Sequence, residues 1–269
     1  MKYCRFQLDG QAHYGLVEPV AGHDAIVRIL LTAPQDADGD MESLRTRRID
    51  PLPLEQAVLL PPVAPSKIVC IGRNYREHAA ELGHEVPKEP LLFLKATSAL
   101  LSPAGVVRRP KISERVDHEG ELGVVIGKTC YQPAADADIR QYILGYTCVN
   151  DVTARDLQVS DGQWSRAKGF DTFCPVGPRV VPVDPHRLDQ LEVVCRVNGV
   201  ERQHGRARDM VFSIPALVAY VSQVMTLEQG DLIATGTPAG VGPLRAGDVV
   251  EVEIPGVGVL SNPVTVEAG

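Results

Sequence analysis

Aromatic side chains are scarce in this sequence of 269 residues, which contains 5 Phe, 7 Tyr and 1 Trp. That supply is too small for a surface on which nucleic-acid bases could stack. Basic residues are also in the minority: the sequence has 27 Lys and Arg but 34 Asp and Glu, so its formal net charge is −7. This balance would repel a phosphate backbone, so we expect no nucleic-acid partner.

Long hydrophobic runs and closely paired cysteines are missing as well. No apolar stretch approaches the roughly 18 residues that indicate a membrane span. The N-terminal stretch MKYCRFQLDG lacks the apolar core of a secretory signal. The six cysteines lie far apart and form no C-x-x-C pair. We therefore expect a cytoplasmic protein without a membrane partner, whose cysteines are reduced thiols in the core.

Turn-forming residues, in contrast, are abundant. The 24 Gly and 21 Pro exceed the ordinary share of about 12% and predict many short strands. The first part of the chain has the pattern of a small β unit with turns at Asp9-Gly10 and Gly22. A proline-rich stretch from Pro51 to Pro65 then predicts an extended connector. We expect a small N-terminal β domain at residues 1–62 and the main domain at residues 63–269.

Strands dominate the predicted main domain. Apolar runs predict strands at KIVCIG, PLLFLK, ELGVVIG and ILGYTCVN, and Asn198-Gly199 marks the turn of a hairpin. Helices are expected from Asn74, as the cap, to Leu82, within VTARDLQVSD, and after Ser213. Helices and strands do not alternate regularly. The predicted fold class is therefore α+β with a β-dominated core, not a doubly wound sheet.

Three acidic residues stand where apolar strands begin or end. Glu119 and Glu121 are two residues apart at the start of a strand, so their side chains share one face and repel unless a cation lies between them. Asp151 ends another strand, and a third carboxylate would complete an all-oxygen site for Mg²⁺, Mn²⁺ or Ca²⁺. The alternatives are two solvated glutamates and an aspartate that caps the following helix.

Two further segments carry residues of catalytic type. His78 and Glu81 are three residues apart on a predicted helix, an arrangement that suits a general base or a surface ion pair. Lys168 lies among apolar neighbours and is either a surface lysine or a cation for an anionic substrate. The glycine-rich stretch that contains Thr237 lacks the G-K-[ST] ending of a phosphate loop. It could hold a carboxylate through backbone N–H groups, or it could be only a turn.

These segments together resemble the fumarylacetoacetate hydrolase family. The resemblance runs from about Lys67 to Val264 and is carried by the motifs IGRNYREHAAELG, PLLFLK, DHEGELGVVIG, GYTCVNDVTARDLQ, AKGFDTFCPVGP and MVFSIPALVAYVSQVMTLEQGDLIATGTPAGVG, in this order. It implies a β-roll catalytic domain preceded by a small N-terminal domain, and a homodimer. The short form looks more like the acylpyruvate hydrolase and oxaloacetate decarboxylase branch than like the longer members.

The resemblance also implies roles for individual residues. Glu119, Glu121 and Asp151 match the ligands of one Mg²⁺ or Mn²⁺ per subunit. Catalytic roles fall on His78, Glu81 and Lys168, and substrate-binding roles on Arg155, Gln158 and Thr237. The helix with His78 and Glu81 matches part of a mobile lid, which we expect to run from Asn74 to about Pro90.

The function expected from the resemblance is hydrolysis of a C–C bond, or decarboxylation, in a small 2-oxo or diketo acid of the acylpyruvate or oxaloacetate type, through a metal-stabilised enolate. One alternative is an isomerase, decarboxylase or hydratase of aromatic-acid catabolism, similar to 2-hydroxyhepta-2,4-diene-1,7-dioate isomerase. Another is a binding protein without catalysis, which would have no need of a positioned base such as His78.

Overall fold

The computed structural model of the chain describes residues 1–37, 40, 43–182 and 184–267. Strands β1 to β5 span Tyr3–Leu8, Gln11–Val20, His23–Leu30, Thr46–Pro53 and Val58–Leu60. Strands β6 to β13 span Ile68–Gly72, Leu91–Lys95, Leu100–Leu101, Val107–Arg109, Val116–His118, Gly120–Ile126, Ile143–Asn150 and Thr153–Ala154. Strands β14 to β20 span Cys174–Val181, Glu192–Val197, Val200–Arg206, Leu232–Ala234, Gly242–Pro243, Val249–Ile254 and Gly258–Val266.

Helices are few and short beside these strands. The α-helices α1 to α4 span Arg76–Glu81, Arg155–Asp161, Ser165–Lys168 and Ile214–Val224. Short 3₁₀ helices lie at Pro34–Asp36, Leu54–Gln56, Thr97–Ala99, Ile139–Tyr142, Pro185–Gln190 and Ala207–Asp209. The predicted β-dominated α+β class is confirmed. No helix in the described part of the chain is long and apolar enough to cross a membrane.

The predicted N-terminal β unit is an antiparallel meander of β1 to β4. The β1–β2 turn has positive φ at both Asp9 (52°) and Gly10 (75°), as the tight hairpin turn between two twisted strands requires. Alternate residues of β1 face two different clusters: Tyr3 packs into the main core, whereas Cys4 and Phe6 belong to a small apolar cluster of the N-terminal strands. The first strands therefore have a core of their own.

The proline-rich stretch is more structured than the connector predicted for it. Within it, Val58–Leu60 forms β5 and returns to pair with β1. On its other side, β1 pairs with β14 at Tyr3 and Val180. The N-terminal strands thus continue a sheet whose strand order is β4-β3-β2-β1-β14-β12-β11-β17-β6-β7. The last two residues of the predicted 63–269 domain, 268 and 269, lie outside the described residues.

Strand β11 lies at the centre of this sheet, and every one of its residues is buried. It pairs with β12 from Gly120 opposite Asn150, so the start of β11 meets the end of β12. Antiparallel pairing in this register brings the residue before β11 next to the residue after β12. A second sheet, of order β16-β15-β19-β20-β9, packs near the same place, because a Cβ on Gly120 would lie only 2.8 Å from Cys195 Cβ.

Two local predictions are wrong in detail. Asn74 does not cap α1, because its side chain bonds elsewhere: Nδ2 donates to the carbonyl of Thr235 at 2.8 Å, and Oδ1 accepts the N–H of Phe212 at 2.9 Å. The helix therefore begins only at Arg76. The segment after Asp151 is a short strand before it becomes helix α2, because Thr153–Ala154 pairs with β10.

Several other local predictions are confirmed. Asn198 (φ 53°) and Gly199 (φ 75°) form the turn between β15 and β16. All six cysteines are buried free thiols.

Candidate active site

Three buried carboxylates meet at the junction of β11 and β12. Glu119 lies between β10 and β11 and accepts the N–H of Asp151 on its carbonyl at 2.9 Å. Glu121 is on the same face two residues later. One carboxylate oxygen from each of Glu119, Glu121 and Asp151 lies within 4.8 Å of the others. The three predicted ligands are therefore together in space, and none is more than 4% exposed.

Basic side chains surround two of the three carboxylates. Lys168 Nζ donates to Glu119 Oε2 at 2.8 Å and to Asp151 Oδ2 at 2.6 Å. Arg155 Nη2 donates to the other oxygen of Glu119 at 2.5 Å. Lys95 Nζ donates to the other oxygen of Asp151 at 2.5 Å. These contacts place each basic group beside Glu119 or Asp151 and none on Glu121.

Glu121 forms no ion pair among the described residues. Its Oε2 accepts the N–H of Gly236 at 2.8 Å. Burial raises the pKa of Glu121 well above its usual range, and the charges of Asp151 and Glu119 raise it further. Burial also acts to raise the pKa of Glu119, but Lys168 and Arg155 hold it well below its usual range. An all-oxygen donor set with one unpaired carboxylate fits a hard divalent cation such as Mg²⁺ or Mn²⁺.

His78 faces the same cavity from helix α1. His78 is 5% exposed, and its Nδ1 lies 3.3 Å from Glu81 Oε2. Glu81 also accepts the N–H of Gly240, at 3.0 and 3.2 Å to its two oxygens. Burial lowers the pKa of His78, although Glu119 and Glu81 partly oppose this change. The imidazole is therefore neutral near neutral pH and able to accept a proton.

A cavity of about 810 Å³ joins these groups. Of the nine predicted site residues, all but Glu81 line it. The rest of the lining is largely apolar and includes Leu82, Leu91, Phe93, Val159 and Trp164. A largely apolar lining with a few polar and charged groups is typical of a site for a small organic ligand.

The predicted substrate-binding residues are held by internal hydrogen bonds. Arg155 donates from Nε to Asp117 at 3.0 Å and from Nη1 to Gln158 at 2.6 Å, in addition to its bond to Glu119. The hydroxyl of Thr237 donates inward to the carbonyl of Gly120 at 2.9 Å. Thr237 therefore presents to the cavity a side chain whose proton is already bonded.

Four residues with evident roles in this arrangement were not singled out in the sequence: Lys95, Asp117, Gln203 and Arg73. The lysine at the end of the apolar run PLLFLK was a visible signal, because a lysine is almost never fully buried without a partner. Arg73 lines the cavity with a left-handed backbone (φ 56°) and forms no ion pair with the described residues. Backbone strain of this kind in a residue that is not glycine is concentrated at functional sites.

Two family descriptions match the chain. Residues 67–265 match "Fumarylacetoacetate (FAA) hydrolase C-terminal", and residues 1–62 match "Rv2993c-like, N-terminal". A relative described as oxaloacetate tautomerase YisK, from Bacillus subtilis, is 44% identical over 212 residues, which cover 74% of this chain and 70% of that protein. An uncharacterized protein from Methanocaldococcus jannaschii is 53% identical over 201 residues, 74% of this chain and 83% of that protein.

Solved structures match over the whole length. A 2-hydroxyhepta-2,4-diene-1,7-dioate isomerase from Mycobacterium marinum is 40% identical with a TM-score of 0.86, and each chain is covered completely. A fumarylacetoacetate hydrolase from Exiguobacterium antarcticum is 35% identical with a TM-score of 0.81 and covers 99% of this chain and 100% of its own. The likeness therefore includes the N-terminal strands as well as the cavity.

The environment of His78 leads to a titration prediction. An NMR titration should place the His78 midpoint below the ordinary value of about 6.5, because burial disfavours the imidazolium. Glu81→Gln should lower it further, since the Glu81 charge raises the pKa of His78. Because the folded pKa is depressed, the linked stability is complete above the ordinary value and is lost as pH falls towards the folded value.

The control for this titration is Glu77→Gln, which removes an exposed acid from the same helix and should leave the midpoint unchanged. Loss of the signal in His78→Gln assigns the resonance. A midpoint at or above 6.5 in the unmodified protein would contradict a pKa of His78 lowered by burial.

Proposed function

The chain belongs to the fumarylacetoacetate hydrolase family of enzymes, and from this premise we propose that it forms the enolate of a small 2-oxo or diketo acid. The observation that carries the proposal is the single cavity onto which three buried carboxylates, a buried lysine and a neutral imidazole all face. We assign Glu119, Glu121 and Asp151 as ligands of one Mg²⁺ or Mn²⁺ per subunit. The cation, when bound, would polarise the keto oxygen and stabilise the negative charge that develops there.

Lys168 is the second source of positive charge in this proposal. Burial lowers the pKa of Lys168, but the charges of Asp151 and Glu119 more than offset this and raise it above the ordinary value. The ammonium group is therefore charged at neutral pH. Its Nζ lies between two of the proposed ligands, so it can stabilise an enolate oxygen that forms beside them.

His78 is the proposed proton acceptor, and Glu81 is its orienting partner. The contact of 3.3 Å between His78 Nδ1 and Glu81 Oε2 orients the ring, and Glu81 itself accepts the N–H of Gly240. A neutral imidazole could take a proton from a substrate carbon, which gives tautomerisation or isomerisation. It could equally take a proton from water, which gives hydrolysis of an acylpyruvate.

We place proton transfer ahead of C–C cleavage, which reverses the order expected from the sequence. The relative from Bacillus subtilis is described as an oxaloacetate tautomerase, and the structure from Mycobacterium marinum as an isomerase. Both reactions need an enolate and a base but no attacking water. Hydrolysis or decarboxylation is the second candidate, favoured by the solved fumarylacetoacetate hydrolase. Both candidates pass through the enolate of a 2-oxo acid, which is that of the substrate in tautomerisation and that of the product in C–C cleavage. The homodimer and the lid remain predictions.

Metal dependence can be tested directly. Protein treated with a chelator should lose conversion between the enol and keto forms of oxaloacetate, and Mg²⁺ or Mn²⁺ should restore it. Glu121→Gln should weaken Mn²⁺ binding, measured by electron paramagnetic resonance, because it removes one of three charged ligands. The exposed Glu114 provides the control, and Glu114→Gln should bind Mn²⁺ normally. Full activity in protein shown to be free of metal would refute the assignment.

The two proposed roles can be separated by comparing three reactions. His78→Ala should lower tautomerisation of oxaloacetate and hydrolysis of acetylpyruvate by roughly 10²–10⁴-fold, the usual size of a general-base contribution. Decarboxylation of oxaloacetate should fall less, because its bond-breaking step needs no base. Lys168→Met should impair all three reactions, since each passes through the enolate. His23→Ala, at an exposed histidine of the N-terminal strands, is the control.

An equal loss of all three activities in His78→Ala would show that the histidine acts in binding or closure of the site instead.

Arg73 leads us to propose that the site prefers substrates with a second carboxylate. It is a cavity-lining cation without an ion pair among the described residues, whereas Lys168 and Arg155 are already engaged by carboxylates. Arg73→Met should therefore lower kcat/KM for oxaloacetate by roughly 10–100-fold, the value of one charged hydrogen bond. Acetylpyruvate, which ends in a methyl group, should change by less than about threefold. Arg76→Met, at an exposed arginine on α1, is the matched control.

Equal losses for the two substrates in Arg73→Met would exclude a role in selecting diacids.

A further inference from the structure

Gln203 is a buried amide on an otherwise exposed strand. It lies near the middle of β16, whose other residues are exposed or only partly buried apart from Gly205. Gln203 is 1% exposed and is close to the start of β11, although 83 residues separate it from Gly120. Buried amides are nearly always hydrogen-bonded, so the partners of Gln203 identify the segments that it connects.

Both ends of the amide are bonded to backbone near the proposed ligands. Oε1 accepts the N–H of Gly120 at 3.0 Å, and Nε2 donates to Thr237 Oγ1 at 2.6 Å and to the carbonyl of Pro238 at 2.7 Å. Because a backbone N–H only donates and a carbonyl only accepts, these partners define the orientation of the amide. The hydroxyl of Thr237 then donates to the carbonyl of Gly120. Gln203 therefore binds the N–H of Gly120, and Thr237 binds its carbonyl. Gly120 is the residue between Glu119 and Glu121.

The orientation of the amide also defines the state of a neighbouring histidine. His118 Nδ1 lies 3.0 Å from Gln203 Oε1, and an amide oxygen can only accept. The Nδ1 atom of His118 therefore carries hydrogen and donates it. Gln203 is thus hydrogen-bonded to both neighbours of Glu119 in the chain, His118 and Gly120.

The turn of residues 236–240, bound by Gln203 through Thr237 and Pro238, connects the two halves of the proposed site. At its start, the N–H of Gly236 binds Glu121, and at its end, the N–H of Gly240 binds Glu81. Glu81 in turn contacts His78. A displacement of this turn would therefore move a metal ligand and the partner of the base together.

Close packing leaves the turn little freedom to move against β16. A Cβ on Gly240 would lie 1.9 Å from the carbonyl oxygen of Arg202, and a Cβ on Gly205 would lie 2.7 Å from Pro238 Cβ. The two backbones approach as closely as glycine permits. The hydrogen bonds of Gln203 are thus made across a tight contact rather than across a loose surface.

We propose that Gln203 is a positioning residue that fixes the Glu119–Glu121 segment against the turn of residues 236–240, and through this turn orients Glu81 and His78. The proposal rests on the function proposed above for those four residues. Gln203 itself contacts neither substrate nor metal in this assignment. Its effect should appear in the affinity of the site for a cation and in the rate of amide hydrogen exchange in the turn of residues 236–240.

The first test compares two buried amides. Gln203→Met removes the amide near the site, and Asn262→Leu removes one that donates to the carbonyls of Ser102 and Gly105, none of which lines the cavity. Both variants should lose thermal stability. Only Gln203→Met should weaken Mn²⁺ binding, by roughly 10–100-fold, as is typical when the hydrogen-bond partners around metal ligands are removed. It should also lower kcat more than it changes KM.

A second pair of variants tests the same link without altering Gln203. Thr237→Ser keeps the hydroxyl that joins Gln203 to Gly120 and should bind Mn²⁺ within about threefold of the unmodified protein. Thr237→Val removes the hydroxyl and should weaken binding as Gln203→Met does. This pair decides the question if Gln203→Met does not fold.

Hydrogen exchange separates this proposal from the proposed function. In metal-free protein, the amides of Gly120 and Gly240 should exchange faster in Gln203→Met but not in Asn262→Leu. If the unmodified protein does not bind Mn²⁺, the assignment of the metal fails, but faster exchange at Gly240 would still support positioning by Gln203. Unchanged exchange at Gly240, together with Mn²⁺ affinity within twofold of normal, would overturn the proposal.

Discussion

The repulsion among three buried carboxylates is the constraint around which this structure is arranged. Glu119, Glu121 and Asp151 lie at the point where the central strand β11 begins and β12 ends, and each is almost completely buried although all three line the cavity. Ionised groups in such a place are unfavourable unless opposite charge is close. Lys168 lies at hydrogen-bond distance from Glu119 and Asp151 and supplies part of that positive charge. Glu121 is the carboxylate whose charge remains uncompensated.

The same constraint accounts for the unusual number of buried basic groups. Lys95 and Lys168 are both nearly inaccessible, and both bind Asp151. Arg155 bridges Asp117 and Glu119. Buried ions of either sign would be destabilising alone, so their presence together indicates that charge balance at this site took precedence over an apolar core. A site that is balanced in this way can respond to the charge of a bound acid.

The sequence predicted what depends on short spacings and missed what depends on distant strands. The two-residue period placed Glu119 and Glu121 on one face, the three-residue helical spacing placed His78 beside Glu81, and both are found. Asn74 was assigned to the nearest local role, a helix cap, but its partners at Phe212 and Thr235 are more than 130 residues away. Gln203 was missed for the same reason, since nothing near it in the sequence marks it.

One cavity could support several reactions, because different residues are assigned to charge stabilisation and to proton transfer. In the proposed function, enolate formation needs positive charge beside the keto oxygen, and Lys168 is assigned to provide it. Under the same proposal, the reaction would depend on whether His78 exchanges its proton with a substrate carbon or with a water molecule. The wall formed by Leu91, Phe93 and Trp164 holds no ionisable group, so the substrate's own second functional group must decide between these outcomes. Under this proposal, specificity depends on the few polar residues outside the carboxylate cluster, among them Arg73, an arginine of the cavity that forms no ion pair with the described residues.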